Sequence, residues 1–391
     1  MQQVRFGIVG VGNMGSGHLK HILNGNVPEL KVTAVADINP ARLEAAKTAA
    51  EKSGQTVALF PTATALFESG LCDAVIIATP HYDHPPLVIE ALQHNLHVIT
   101  EKPAGVYTKQ VREMNEAAAK SDKIFAVMFN QRTNHIYRKM KELVASGKYG
   151  EIRRTNWIIT DWFRCQSYYN SGGWRATWAG EGGGVLLNQC PHNLDLWQWI
   201  CGMPVKVRAF CKEGHFHDIE VEDDVTAYVE YANGATGVFI STTGECPGTN
   251  RFEIVLDRAT ILCENGKLSV YELEDSQQHF IDTCPEGFGR VDGKFIDVET
   301  DGENPQHDGV LRAFAAAILR GEPLIARGEE GINGLTLSNA MFLSSWLNET
   351  VSLPLDEDLF YAELKKRIAS SRVKKDVGEG AVFNVEGTFG S

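Results

Sequence analysis

VRFGIVGVGNMGSGH, residues 4–18, decides the reading of this chain: an apolar run that ends in three glycines spaced G-x-G-x-x-G. VRFGIVG reads as a strand and GSGHLKHILN as a helix, so the glycines fall in the turn between them. Gly10 permits the tight turn, Gly12 lets backbone approach a pyrophosphate at the helix N-terminus, and Gly15 allows the helix to pack closely. Asn13 and Met14 complete the loop. Asp37 follows Gly15 by 22 residues and ends the next strand-like run, LKVTAVAD (30–37). A carboxylate there accepts both ribose hydroxyls and repels a 2′-phosphate, so NAD is expected over NADP. Ile38, Asn39 and Pro40 offer no basic partner for a phosphate; Arg42 is the one group that could reach back to one.

Outward from this unit the rhythm continues. Helical ARLEAAKTAAEKSG precedes a short strand near VALF, a helix at TATALFES, the strand DAVIIATP (73–80) and the helix PPLVIEALQHN. The strand LHVITEKP (96–103), the helix TKQVREMNEAAAKSD and the strand KIFAVMFN (123–130) follow. Continuous apolar strands alternating with amphipathic helices predict a doubly wound parallel sheet, an α/β Rossmann domain over residues 1–130. After residue 130 the pattern changes to a helix near 134–146 and then to strands in EIRRTNWIITDWF, VTAYVEYANGATGVFISTTG and RFEIVLDRATILCENGKLSVYEL, several joined by Asn-Gly turns. These predict an α+β domain over 131–365 with a large, open, mainly antiparallel sheet. Helices return at GVLRAFAAAILRG and in 329–349, and 366–391 reads as a tail.

At 391 residues, two domains of enzyme size are expected. A net charge of −13 disfavours nucleic acid or an anionic membrane as partner, which leaves a small molecule. The basic run KKRIASSRVKK (365–375) reads as a solvated helix end and tail. Eight cysteines without a CxxC pair read as reduced thiols, and neither a signal segment nor an apolar run of transmembrane length is recognisable, so a cytoplasmic location is expected.

Ligands of an open parallel sheet lie beyond the carboxyl ends of its strands. Besides the glycine loop and Asp37, that edge carries Thr79, Pro80 and His81 with nearby His84, and then Glu101 and Lys102. Pro103 restricts the backbone of Lys102 and so helps to fix its direction. The cofactor set is therefore expected to be Gly10, Gly12, Asn13, Met14, Gly15, Asp37, Thr79, Pro80, His84, Glu101 and Lys102.

Farther on, GGGVLLNQCPHNLDLWQW (182–199) places Asn188, His192 and Asp195 at i, i+4 and i+7, one helical face, with Leu194, Trp197 and Cys201 roughly opposite. Proline is comfortable only in a first helical turn, so Pro191 places Asn188 in the lead-in turn or the helix. His192 is expected to face away from the core. A zinc site on Cys190 and His192 is not expected, because two residues so close at a helix start do not converge and no ligand cluster surrounds them.

Together, GVGNMG, Asp37, ATPHYDH (78–84), EKPAG (101–105) and the GGG-x-x-x-N-x-x-x-H-x-x-D segment resemble the Gfo/Idh/MocA oxidoreductase family over nearly the whole chain apart from the tail. The resemblance implies NAD(P)-dependent oxidation or reduction of a secondary alcohol on a sugar or polyol. It also implies assembly through the C-terminal sheet into a homodimer or homotetramer. On this resemblance Lys102 and His192 are the catalytic lysine and histidine. Many members carry Asp where this chain has Asn188, and an amide can orient His192 or a substrate hydroxyl but cannot take a proton.

The aromatic, Arg-rich segment 161–184 supplies Arg164, Tyr168, Trp174 and Arg175 as candidate sugar contacts beside Asn188 and His192. Arg132, His81, His84 and His307 are secondary candidates. The leading expectation is a sugar, glycoside or inositol dehydrogenase. The alternatives are a redox-neutral glycosidase that holds NAD permanently and a sugar-responsive regulator without catalysis.

Overall fold

The computed structural model describes residues 2–372. Its first sheet has six strands, β1 (Val4–Val9), β2 (Leu30–Ala36), β3 (Ala58–Phe60), β4 (Ala74–Ile77), β5 (His97–Thr100) and β6 (Phe125–Val127). They lie in the order β3-β2-β1-β4-β5-β6, and every pair is parallel. Residues 74–77 are buried without a break, as a strand covered on both faces requires. The order reverses between β1 and β4, and that crevice is where the glycine loop opens.

The connecting helices are α1 (Asn13–Leu23), α2 (Pro40–Lys52), α3 (Ala63–Glu68), α4 (His84–Gln93) and α5 (Thr108–Ala119). Local chemistry sets their starts. The Asn39 side chain accepts from the Ala41 N–H at 2.9 Å with Pro40 at the first helical position, and Thr62 caps α3. The Rossmann pattern holds in every element, although strands such as 73–80 contract at their carboxyl ends, where backbone turns away into the ligand-facing loops.

Part of this layer's cover arrives from far along the chain. Val310, Leu311, Phe314 and Ala315 of a late helix, Gln306–Arg320, share one core with Phe6 and Ile8, and the rings of Phe6 and Phe314 lie 6.4 Å apart.

The intervening elements are α6 (His135–Ala145), β7 (Ile152–Ile159), α7 (Gln166–Tyr169), α8 (Val185–Asn188), α9 (Pro191–Cys201), β8 (Lys206–Glu213), β9 (Glu222–Glu230), β10 (Thr236–Thr242), β11 (Asn250–Leu256), β12 (Ala259–Glu264), β13 (Lys267–Leu273), α10 (Gln277–Thr283) and β14 (Gly293–Asp297). The late helix is α11, and α12 (Gly331–Leu347), β15 (Val351–Ser352) and α13 (Glu357–Ser370) follow it.

The second sheet runs β14-β13-β12-β11-β7-β10-β9-β8-β15. Only β7 and β10 pair in parallel; the other pairings are antiparallel. Asn265 and Gly266, both at positive φ (50° and 69°), close the β12–β13 hairpin. The inner face stacks Trp157 on Phe252 at 4.2 Å, and Trp197 of α9 stacks on Phe239 at 5.5 Å. Strands β8, β14 and β15 were not anticipated. The first two mix charged and apolar residues near or at an edge, and β15 spans two residues.

Two expectations need correction. Helix α9 does not have one apolar and one open face: Pro191 to Gln198 are all buried. It is wedged between the sheet, which Trp197 meets at Phe239 and Thr155, and helices α12 and α6. Asp195 therefore does not share an open face with His192. Its carboxylate accepts two hydrogen bonds from Arg132 at 2.7 and 2.8 Å, with side chains only 1% and 2% exposed, and Arg132 also pairs with Glu330. Breaking such a buried pair from one side costs about 3–5 kcal/mol, which marks Arg132 as a structural residue.

The second correction concerns the expected tail. Residues 366–370 continue α13, because Phe360 and Leu364 anchor that helix in the core and the Arg367 guanidinium lies 3.8 Å from the Trp346 ring. The remainder of the expected tail, 373–391, lies outside the described residues, and so does the end of the basic run 365–375. Among the described residues no helix is long and apolar enough to cross a membrane, and the eight cysteines are free.

Candidate active site

The glycine loop has the shape that a dinucleotide needs. Gly10 sits at φ +86°, and a Cβ on Gly15 would stand 1.8 Å from the Gly10 carbonyl oxygen, so neither position tolerates a side chain without moving the loop. Gly12, by contrast, faces open space, with only Arg42 within 3.8 Å of an added Cβ. Helix α1 starts after Gly12 without a side-chain cap, which leaves its first N–H groups for a phosphate.

Asp37 is held over this loop. Its two oxygens accept from the N–H groups of Val11 at 2.9 Å and Asn39 at 2.8 Å, which points the carboxylate toward a ribose. Arg42 lies 3.8 Å from Asp37, its side chain half exposed. The Thr79 hydroxyl is buried beside the β4 end without a hydrogen-bond partner, a polar atom suited to a bound ligand. Residues and cradle thus fit a dinucleotide. Asn13 and Met14 form the first turn of α1, and Pro80 leads from β4 into the short turn His81–Asp83.

The next loops are tied together by histidines. The ring nitrogens of His84 lie 2.7 and 2.8 Å from the carbonyl oxygens of Pro103 and Thr79, so His84 clamps the two strand-end loops and does not offer a nitrogen to the cofactor. Glu101 turns inward as well. Its carboxylate meets His18 of α1 at 2.7 Å; burial alone would raise its pKa, but this hydrogen bond and neighbouring cations bring it to about 2. His307 packs edge-on to His18 at 5.6 Å, and burial with that neighbour lowers it to about 4. His18 carried no sequence signal beyond its place in the helix after the glycine loop.

Lys102 emerges from this loop half-buried, and its ammonium donates to the Asn188 carbonyl oxygen at 3.0 Å. Asn188 closes α8, and Gln189 and Cys190 break the chain before Pro191 begins α9; the lead-in turn is therefore the correct placement. Its side chain hydrogen-bonds to residues other than His192. The amide nitrogen donates to Glu181, and the amide oxygen accepts from the Tyr168 hydroxyl at 3.0 Å.

His192, in the first turn of α9, is 7% exposed and packs edge-on against Phe129 at 6.3 Å. Its Nδ1 is buried without a partner. Burial first, then the charges of Lys102 and His307, hold its pKa well below the usual histidine value. The imidazole is therefore neutral near pH 7 and able to accept a proton. Lys102 is lowered by burial, against which Glu101 and Glu181 act.

The aromatic segment forms one side of this cluster. Arg175 lies 4.7 Å from the Tyr168 ring and 4.6 Å from the Trp174 ring, and it donates to the Tyr168 hydroxyl at 3.0 Å. His81 sets its ring edge-on to Trp174 at 5.9 Å and reaches the Glu181 carbonyl oxygen at 3.1 Å. Tyr168, Trp174 and Arg175 thus come together with Asn188. Arg164 sets its guanidinium 5.4 Å from the Tyr168 ring, and its side chain donates to the carbonyls of Trp162 and Phe163. Glu181 was not singled out from the sequence, where it reads as one loop acid before three glycines.

Two family models match successive parts of the chain: "Oxidoreductase family, NAD-binding Rossmann fold" over residues 4–129 and "GFO/IDH/MocA C-terminal domain" over residues 137–262. It is 24% identical over 367 residues to the myo-inositol 2-dehydrogenase of Thermotoga maritima, covering 90% of this chain and 99% of that one. It is 29% identical over 252 residues to the D-glucoside 3-dehydrogenase of Escherichia coli, covering 59% and 68%. Among solved structures, the WlbA dehydrogenase of Chromobacterium violaceum, in complex with NADH and UDP-GlcNAcA, superposes with a TM-score of 0.77 at 28% identity, covering 91% of this chain and 97% of that one. A strand order that opens at the glycine loop, a carboxylate fixed over that loop and two matched domains in sequence make this chain a member of the Gfo/Idh/MocA oxidoreductases, with an NAD-binding Rossmann domain followed by the family's C-terminal domain.

Proposed function

We propose that this protein oxidises, or in reverse forms, a secondary alcohol on a neutral sugar, glycoside or inositol, with His192 as the proton acceptor and Lys102 as the cation on the reacting oxygen. The observation that carries the reading is the buried, neutral His192 with an unpartnered Nδ1 in the electrostatic reach of Lys102. Bound in the glycine cradle, NAD supplies the hydride acceptor. His192 takes the hydroxyl proton as the carbon is oxidised to a ketone, and Lys102 stabilises the oxygen while it carries negative charge.

A neutral substrate suits the site because the Arg175 guanidinium already has a carboxylate, Glu181, at 3.8 Å. Tyr168 and Trp174 offer ring faces to sugar C–H groups. Two relatives carry names for the oxidation of an inositol and of a glucoside.

The test is NADH formation with a panel of neutral sugars, glycosides and inositols, with cofactor content measured on the denatured protein. Steady NADH production on one class supports the proposal. Aglycone release from a glycoside with retained cofactor and no net NADH would replace it with the redox-neutral glycosidase; retained cofactor without turnover would favour a regulator.

Cofactor choice rests on Asp37. Removing its charge in Asp37→Ser is expected to weaken NADH roughly ten- to hundredfold, the worth of hydrogen bonds to a charged group, with NADPH little changed. Titration of both cofactors by fluorescence checks this; an unchanged ratio would mean that the ribose is read elsewhere.

Assembly into a homodimer or homotetramer is proposed through the face of the nine-stranded sheet that the described residues leave open. There Phe210 and Tyr228 are exposed beside the half-buried Ile158, Val238 and Ile240. Sedimentation should return a multiple of the 43.1 kDa chain mass, and a species of 43.1 kDa at micromolar concentration would refute it. The free thiols suit a reducing compartment such as the cytoplasm; rapid disulfide formation in a cytosol-like glutathione buffer would argue against that.

A further inference from the structure

Glu181 is 2% exposed; burial raises its pKa, and Arg175, the Ala176 N–H, the Asn188 amide and Lys102 act against burial in favour of the anion. One carboxylate oxygen accepts from the Ala176 N–H at 2.6 Å; the other accepts from the Asn188 amide and lies 3.8 Å from the Arg175 guanidinium. Arg175 donates to the Tyr168 hydroxyl and Tyr168 donates to Asn188, so Glu181, Asn188, Tyr168 and Arg175 close a polar ring. The backbone of Asn188 is the acceptor for Lys102. The ring thus ends at the ammonium that the reaction uses.

We propose that Glu181 is the positioning residue of this site: it fixes Asn188, and through it Lys102, and adds to the negative charge that favours Lys102 as an ammonium. The inference rests on the dehydrogenase reading for its purpose, but its physical content does not depend on turnover.

The charges around Lys102 show why this carboxylate matters. Glu101, Glu181 and Cys190 favour the ammonium, Arg175 opposes it, and His81, His192 and His307 are neighbours that repel it when protonated. Glu101 is already committed to His18, and the Cys190 thiol is pushed up to about 12 by burial and so carries no charge. Of the two carboxylates Glu101 acts more strongly on Lys102, and Glu181 is the one that also neutralises Arg175 and holds Asn188. Without it, Arg175 would lose its carboxylate partner and Lys102 would be left with Glu101 alone against that cation.

A nearby anion favours protonated lysine, so its loss lowers the lysine pKa, and more free amine is present at neutral pH. Acetic anhydride trace labelling of the NADH-bound protein, with Lys102 quantified by peptide mass spectrometry, reads this without any substrate. In Glu181→Gln, Lys102 should label roughly three- to tenfold faster at pH 7.5 than in the wild type, the consequence of removing a close opposite charge.

The double variant Glu181→Gln/Asn188→Asp exchanges amide and carboxylate across the same hydrogen bond. It should bring labelling back to within about twofold of the wild type. Where a substrate has been found, the alkaline limb of kcat/KM moves to lower pH in the single variant and returns in the double one. A merely structural glutamate would not produce that pair of shifts.

Unchanged Lys102 labelling in a folded, NADH-binding Glu181→Gln protein would overturn the proposal. If the single variant does not fold, the exchanged pair decides alone: labelling near the wild type supports the charge role, and a departure beyond about threefold overturns it. Failure of the dehydrogenase reading shows separately, as absence of turnover on the substrate panel with Lys102 labelling as expected.

Discussion

Replacing His192 with alanine is expected to lower turnover of the best substrate about a thousandfold, within the range assigned to a positioned general base, while NADH affinity stays within about threefold. The imidazole packs against Phe129 in the first turn of α9 and is not part of the glycine loop proposed to hold the dinucleotide. Its removal takes away the proton acceptor and leaves the cofactor cradle intact. Steady-state kinetics and NADH fluorescence on the same preparation separate the two effects. A variant that keeps more than about a tenth of the turnover would remove His192 from the base role.

Lys102→Met is the second large effect, a loss of about 100- to 1000-fold in kcat, comparable to removing one donor from an oxyanion site. Methionine keeps most of the stem volume, so the lost element is the ammonium and its hydrogen bond to Asn188. The substitution also moves His192. The lysine charge is one of the causes that hold His192 low, so its removal lets His192 protonate at higher pH. The acid limb of the residual activity should therefore shift to higher pH. A pH profile of kcat/KM in the variant checks both claims, and a full-strength enzyme with an unmoved acid limb would contradict them.

Much of the architecture was legible in the sequence because it is written in local patterns. The step from β1 through Gly10, Gly12 and Gly15 into α1, with Asp37 at the end of β2, depends on chain neighbours and on the short period of strands and helices. EKP and the glycine-histidine segment likewise announced Lys102 and His192 at one strand edge and one helix start.

What escaped was pairing between distant segments. Asp195 looked like a companion of His192 because helical spacing is read against a single core, whereas α9 has neighbours on several sides and Arg132, 63 residues earlier, takes the carboxylate. Glu101 looked like a cofactor contact, and its partner His18 lies 83 residues away. Glu181 is closer, seven residues from Asn188, but the glycines between them follow neither helical nor strand periodicity. Nothing in that spacing marks the two side chains as partners. The return of α11 to the first sheet belongs to the same class, since its apolar stripe says that it packs but not on what.

The most direct test of the account is whether hydride leaves a sugar carbon for NAD in this protein. Neutral sugars, glycosides and inositols deuterated at their ring carbons would be incubated with the enzyme and NAD, and the cofactor analysed by mass spectrometry. The account predicts deuterium in the cofactor and a ketone on one substrate class, with both lost in His192→Ala. Unlabelled cofactor across the whole panel, from protein shown to bind NAD, would contradict it.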